Sequence, residues 1–394
     1  MRNRLFEKTP LVPLALSLIL GIIIVNYIPV PIPLLPVLAG MVAIALLLYK
    51  FVNAQSMAVV VCFLLLGACL MQHHIQMPEV PRTESRLERS KAFFLQQRTV
   101  LLERLSDSGI DGDAYAVVAA MSLGDKSELT RDIKNTYSVS GASHILALSG
   151  LHLGIIYMIL SLFLPRRRWP ALSQLVTILA VWMFVLLVGM PVSAVRSAVM
   201  LSIYGLLSLG HRDKMSVNAL AFTAIVMLMY NPAWLFDIGF QLSFMAVWAI
   251  LLFVPLFEDV FSAEYLMSHR WMKWAWGMVA VSCSAQLGVA PLIAYYFGRF
   301  SIYFLLTNFI VVPAAFVILV MVLIVLLFPS LAYLLLYIVQ SLNAILTWMA
   351  SLPGASIDGL HPNVFQVLLV YMLIFCIYLL IERIKPIMGW RSLR

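Results

Sequence analysis

Residues 302–328 read IYFLLTNFIVVPAAFVILVMVLIVLLF. The run holds no Asp, Glu, Lys or Arg, and it is longer than the roughly 20 residues a helix needs to cross a bilayer. Its apolar residues are continuous and do not alternate, which excludes a strand of a transmembrane β-barrel. A helix, with its backbone groups satisfied internally, is the remaining way to place such a run in lipid. Similar runs recur at 11–28, 32–49, 56–71, 144–164, 171–190, 193–210, 216–231, 240–257, 274–296, 330–352 and 363–382. The composition agrees. The 394 residues are 63% hydrophobic and 11% charged, with a mean hydropathy of +0.98. Soluble domains carry about 25% charged residues. The expected class is an all-α polytopic membrane protein of about 12 transmembrane helices, with both termini cytoplasmic and some helices kinked or broken around a polar path.

The charges support that count. With the basic N-terminus (Arg2, Arg4, Lys8) inside, Lys50, Arg166–Arg168, His211–Lys214, the group His269, Arg270 and Lys273, and Arg383 with Lys385 all fall inside as well. The short loops left outside contain Arg299 as their single basic residue. The first run resembles a signal peptide but ends in Tyr27-Ile-Pro-Val without a small-residue cleavage site, so it reads as an uncleaved span. The expected organisation is a three-span segment over 1–71, an external polar linker with an amphipathic helix over 72–113, a channel domain over 114–382, and a basic cytoplasmic tail over 383–394. Within 72–113, Leu87, Phe94, Leu95, Leu101, Leu102 and Leu105 recur at helical spacing, which predicts a helix lying on the outer surface. Residues 114–123 predict a short apolar helix, 124–130 a turn, and Ser127 or Thr130 the cap of a helix reaching Tyr137. Residues 72–143, the whole external region, balance nine Lys/Arg against ten Asp/Glu, so the region is no electrostatic trap for polyanions. Cys62, Cys69, Cys283 and Cys376 lie within apolar runs and read as packing residues.

Ionisable groups in spans are costly and mark partners or polar paths. Arg196, in PVSAVRSAVM, and Asp237, in NPAWLFDIGFQLSF, are the two that stand out. They read either as an ion pair that fixes helix packing or as two points on one polar path. Asp237 and Gln241 share a helix face. The aromatics around them fit an interfacial belt better than base-stacking platforms. Gln286 and Asn308 add single amides to later spans. Pro191, Pro255, Pro291 and Pro313 interrupt spans, as in helices that line cavities.

The stretch 141–154 reads GASHILALSGLHLG. On a continuous helix Ser149 and His152 share a face, and His144 lies off it. Gly150 and Gly154 form a small-xxx-small pair that permits close helix packing. The histidines are not spaced for a metal, and no carboxylate is near them in sequence. A serine hydrolase would need its base on another helix, and the remaining histidines lie in or beside loops.

Five segments in order resemble the ComEC-type competence membrane proteins. They are SHILALSGLHLG (143–154), LGDKS (123–127), PVSAVRSAVM (191–200), NPAWLFDIGFQLSF (231–244) and APLIAYYFGRFS (290–301) with Asn308. The resemblance implies a channel for single-stranded DNA in natural transformation, in a bacterial inner membrane, with no enzymatic activity and no cofactor or metal. It also implies that His144, Ser149, His152, Arg196, Asp237 and Gln241 belong to a polar signature set. Full-length members carry an external OB-type domain, for which residues 78–113 leave no room. Many end in a β-lactamase-like nuclease, whereas this chain ends at 394 with no H-x-H-x-D-H motif. Neither is a P-loop present. The expected partners are therefore single-stranded DNA, membrane lipid, and a separate DNA receptor, nuclease and ATP-driven helicase or translocase. The alternatives are a channel for another polar or anionic solute, and an intramembrane hydrolase using Ser149 and His152. A homo-oligomer is left open.

Overall fold

The computed structural model describes residues 9–28, 30–76, 86–164, 168–209 and 217–384. The basic N-terminus, Arg166, Arg167, the cluster His211–Lys214 and the tail from Lys385 lie outside the described residues. Among the described residues seven helices are long and apolar enough to cross a membrane, and five further predicted spans appear as shorter apolar helices. The described residues of Met1–Glu88 with Ala198–Gln241 form one compact unit, and those of Arg89–Ser197 with Leu242–Arg394 form a second.

The first unit contains α1 (Leu11–Tyr27), α2 (Leu34–Leu47), α3 (Val52–Gln76) and α10 (Val217–Tyr230). Helices α1 and α3 touch backbone to backbone. A Cβ on Gly21 would overlap the Leu64 carbonyl, and one on Gly67 would overlap the Leu18 carbonyl. Such contact needs glycine from both sides. The turn between α1 and α2 is rich in proline, which cannot donate a backbone hydrogen bond. Gln72, buried on α3, accepts from Leu34 N at 3.1 Å and donates to the carbonyls of Val30 and Ile32 at 3.0 and 2.9 Å. One amide thereby satisfies three backbone groups that the turn leaves unpaired.

The second unit holds α4 (Arg86–Asp107, from Arg89 on), α5 (Gly112–Leu123), α6 (Arg131–Val139), α7 (Gly150–Phe163) and α8 (Pro170–Leu187). It continues with α12 (Ala263–Ser268), α13 (Arg270–Phe297), α14 (Phe304–Leu327), α15 (Ala332–Ser351) and α16 (Val364–Ile384). Helices α9 (Val192–Leu209) and α11 (Ile238–Glu258) contribute to both units. Strands β1 (Arg299–Ser301) and β2 (Ser356–Asp358) pair antiparallel, with Arg299 opposite Asp358.

The core of this unit is built around α5. Nine of its 12 residues are buried, from Ala114 to Leu123, as expected of a helix that is apolar all round. Gly124 ends it in the left-handed region, at φ 72°. Thr130 accepts from Ile133 N and caps α6, which turns Ile133 and Tyr137 inward. Tyr137 Oη donates to Asn343 Oδ1 at 2.7 Å, and Thr307 Oγ1 donates to Ser140 O at 2.7 Å, tying α6 and the turn after it to α15 and α14.

In the C-terminal half of α4 part of the apolar stripe is covered by protein. Leu102 and Leu105 enter the protein core with Ile110, and Arg98 pairs with Asp125 at 3.2 Å in the turn after α5. Leu102 and Leu105 of that stripe belong to the same buried cluster as the apolar residues of α5. Phe93, Leu95 and Val100 of α4 remain exposed.

Candidate functional site: a buried arginine at the start of two helices

The histidine-serine stretch is not one continuous helix. Residues Ser143–Ile145 form a 3-10 turn, and α7 begins only at Gly150. Ser149 is the N-cap, with extended backbone, and its Oγ accepts from the backbone N–H of His152. In return, Ser149 N donates to His152 Nδ1 at 3.2 Å. This is a capping box in which histidine stands where Glu or Gln is usual. The polar and small residues at this point are therefore helix-start signals. Ser149 Oγ also lies 3.0 Å from His152 Nδ1. The backbone N–H contact casts Nδ1 as an acceptor, which puts the proton of the neutral ring on Nε2. His152 is fully buried, and Nε2 has no partner among the described residues. His144 is exposed in the 3-10 turn, with Nδ1 3.2 Å from Gly141 O.

The start of α9 lies beside the start of α7, because Ser193 Oγ donates to Leu148 O at 2.6 Å. The turn that delivers α9 is tight. Gly189 has φ 85° and Met190 φ 59°, the latter a left-handed conformation that costs an ordinary residue about 1 kcal/mol or more. One turn into α9 stands Arg196, only 5% exposed. Its Nη1 donates to Ser243 O of α11 at 2.7 Å, and its Nη2 donates to Ser197 Oγ at 3.2 Å. The guanidinium lies 6.0 Å from the centre of the Phe244 ring. Its Nε has no acceptor among the described residues. A Cβ on Gly150 would lie 3.2 Å from Ser197 Oγ and 3.9 Å from Arg196 Nη2, so the guanidinium sits at the first turn of α7. Gly154 has no neighbour within 4 Å of its Cβ position. Gly150 thus marks the close contact of the GxxxG pair.

Asp237 and Gln241 belong to the other unit and act locally there. Asn231 accepts from Ala233 N at 3.0 Å and starts the 3-10 turn Pro232–Phe236. Asp237 Oδ1 then accepts from Phe240 N at 2.8 Å at the start of α11, and Gln241 Nε2 donates to Leu235 O at 3.0 Å. Trp234 packs on Tyr230 and Phe236 meets Tyr27 edge-on, so these aromatics have partners within the protein.

The remaining amides lie further along the second unit. Asn308 Nδ2 donates to Ser282 Oγ at 3.1 Å, linking α14 to α13. Gln286 lines a cavity of about 880 Å³ between α13, β1 and α16, together with Cys283, Pro291, Phe300, His361 and Gln366. The structure therefore brings Ser149, Gly150, His152 and Arg196 together and holds Gln286 in a separate cavity. Ser193, Ser197 and Ser243 are further members of the arginine cluster. Only PVSAVRS, with serines three before and one after the arginine, hinted at the first two.

A family model described as "Competence protein" matches residues 121–384. "ComE operon protein 3" of Bacillus subtilis (strain 168) is 31% identical over 214 residues, covering 53% of this chain and 26% of that protein. An "Uncharacterized protein" of Aquifex aeolicus (strain VF5) is 33% identical over 198 residues, covering 50% of this chain and 44% of that protein. The matches thus span less than half the length of either relative. No solved structure matches.

Proposed function

The chain belongs to the Competence protein family, and from that premise we propose that it forms the membrane core of a channel for single-stranded DNA. The observation that carries this reading is the extent of the match. Residues 121–384 include every candidate site residue from His144 to Asn308. The chemistry agrees. A DNA strand crossing a bilayer needs a wet path with polar groups and some positive charge, and Arg196 is a buried cation at the start of two helices.

In this reading the chain is a multi-pass protein of a bacterial inner membrane, with about twelve spans and both termini inside. His144, Ser149, His152, Arg196, Asp237, Gln241, Gln286 and Asn308 face or support the strand. The channel domain is 114–382. A receptor, a nuclease and an ATP-driven helicase or translocase act with it as separate proteins. Deleting the gene in a naturally transformable host is expected to abolish uptake of labelled DNA. Normal uptake and transformation would overturn the reading.

The Ser149–His152 contact of 3.0 Å gives the hydrolase alternative its one specific support. Two facts weigh against it. The Nδ1 lone pair also accepts the Ser149 backbone N–H, and Ser149 Oγ accepts the His152 N–H as a helix cap. A nucleophile needs a base free to take its proton and a third group to orient that base. His152 Nε2 has no such partner among the described residues.

A further inference from the structure

We propose that Arg196 and the first turn of α7, on which His152 stands, form a binding site for a single phosphodiester of the transported strand. The inference rests on the DNA-channel reading and assigns one contact within it.

The cluster has a surplus of donors. Arg196 is 5% exposed, its two bonded nitrogens meet a carbonyl and a hydroxyl, and its Nε has no acceptor. No carboxylate of its own unit lies within ion-pair distance among the described residues. A buried charge is costly unless it is paired. The capping box satisfies the amide of His152 but leaves those of Gly150 and Leu151 with no acceptor among the described residues. The Nε2–H of His152 is a further buried donor without an acceptor.

Position adds to the argument. A helix N-terminus carries a partial positive charge from its aligned peptide dipoles and free N–H groups. Here α7 and α9 start side by side, and Arg196 Nη2 lies 3.9 Å from where a Cβ on Gly150 would stand. Three positive features are thus held together by neutral groups only. Repulsion among them falls when an anion with several acceptor oxygens joins them, and a phosphate at a helix N-terminus is such an arrangement. Gly150 lacks the side chain that would cover its own amide. A phosphodiester is singly charged and repeats along the strand, so a site for one suits a chain that must move on. The contact reads backbone and carries no base information.

The test uses the full chain purified in phospholipid-free detergent. Inorganic phosphate is compared with chloride at equal ionic strength by thermal melting. Binding of a fluorescent thymidine 20-mer is compared with its uncharged methylphosphonate analogue. Phosphate is expected to raise the melting temperature, and the phosphodiester oligomer to bind at least tenfold more tightly than the neutral one. Arg196→Gln is expected to remove the phosphate effect and weaken the oligomer about tenfold, while Arg196→Lys keeps part of both. Gly150→Ala, which leaves every charge in place and adds a methyl 3.2 Å from Ser197 Oγ, is expected to weaken phosphate without unfolding the protein.

Equal phosphate response in wild type and Arg196→Gln would overturn the proposal. So would restoration of Arg196→Gln stability by Asp237→Asn, which would identify Asp237 as the counter-ion. Competition by phosphatidylglycerol but not by the oligomer would assign the site to a lipid headgroup and overturn the strand assignment. An Arg196-dependent phosphate response without any oligomer binding would retain the anion site and reject the DNA-channel reading.

Discussion

Histidine at the third residue of α7 does the work that Glu or Gln usually does in a capping box, and this explains a stretch that looks like an active site when read as text. A cap of this kind is worth about 1 kcal/mol. Ser149→Ala is therefore expected to lower the melting temperature of the purified protein modestly and to leave DNA uptake substantially intact, whereas a hydrolase would lose all activity. His152→Gln, which can still accept from Ser149 N, is expected to melt above His152→Ala. Equal melting of the two would remove the capping role. At this scale Arg196 was legible in the sequence, since a lone arginine in an apolar run must find partners. Its partner Ser243 O was not, because it lies 47 residues away on another helix and is a backbone carbonyl that any residue type supplies.

Among the described glycines, the tightest backbone approaches between helices are at Gly21 and Gly67 between α1 and α3, and at Gly288 of α13 against the Met245 carbonyl of α11. The spacing of Gly150 and Gly154 drew attention in the sequence, yet only Gly150 meets a neighbour. A small residue shows that a close approach is permitted, but which helix arrives there depends on the packing of the rest. Gly288→Leu is expected to force α13 and α11 apart at a cost of roughly 1–3 kcal/mol or more, as overpacking of an interior does. The purified protein should melt several degrees lower, and Gly277→Leu, with no neighbour within 4 Å of its Cβ position, should not. Helix α4 makes the same point. Its amphipathic pattern marked a helix, and the structure adds that Leu102 and Leu105 enter the protein core while Arg98 pairs with Asp125.

For the whole molecule, the charge pattern leads to a topology that labelling can check. In a cysteine-free background, Lys126→Cys in the turn after α5 is expected to react with a membrane-impermeant maleimide in spheroplasts. Lys273→Cys at the start of α13 should react only after permeabilisation. The reverse pattern would invert the molecule. The sequence alone determined that lipid is the solvent, that helices are the elements, and which residues are out of place in lipid. Those conclusions follow from local composition and periodicity, because transfer of apolar groups and backbone satisfaction act residue by residue. The tertiary structure decided that Ser149 and His152 cap a helix, that Arg196 reaches the first turn of α7, that Gln286 lies in a separate cavity, and that α4 docks on protein. These depend on which surfaces meet across tens or hundreds of residues, and in lipid that choice is made by close packing and interhelical hydrogen bonds, which leave no period in the sequence.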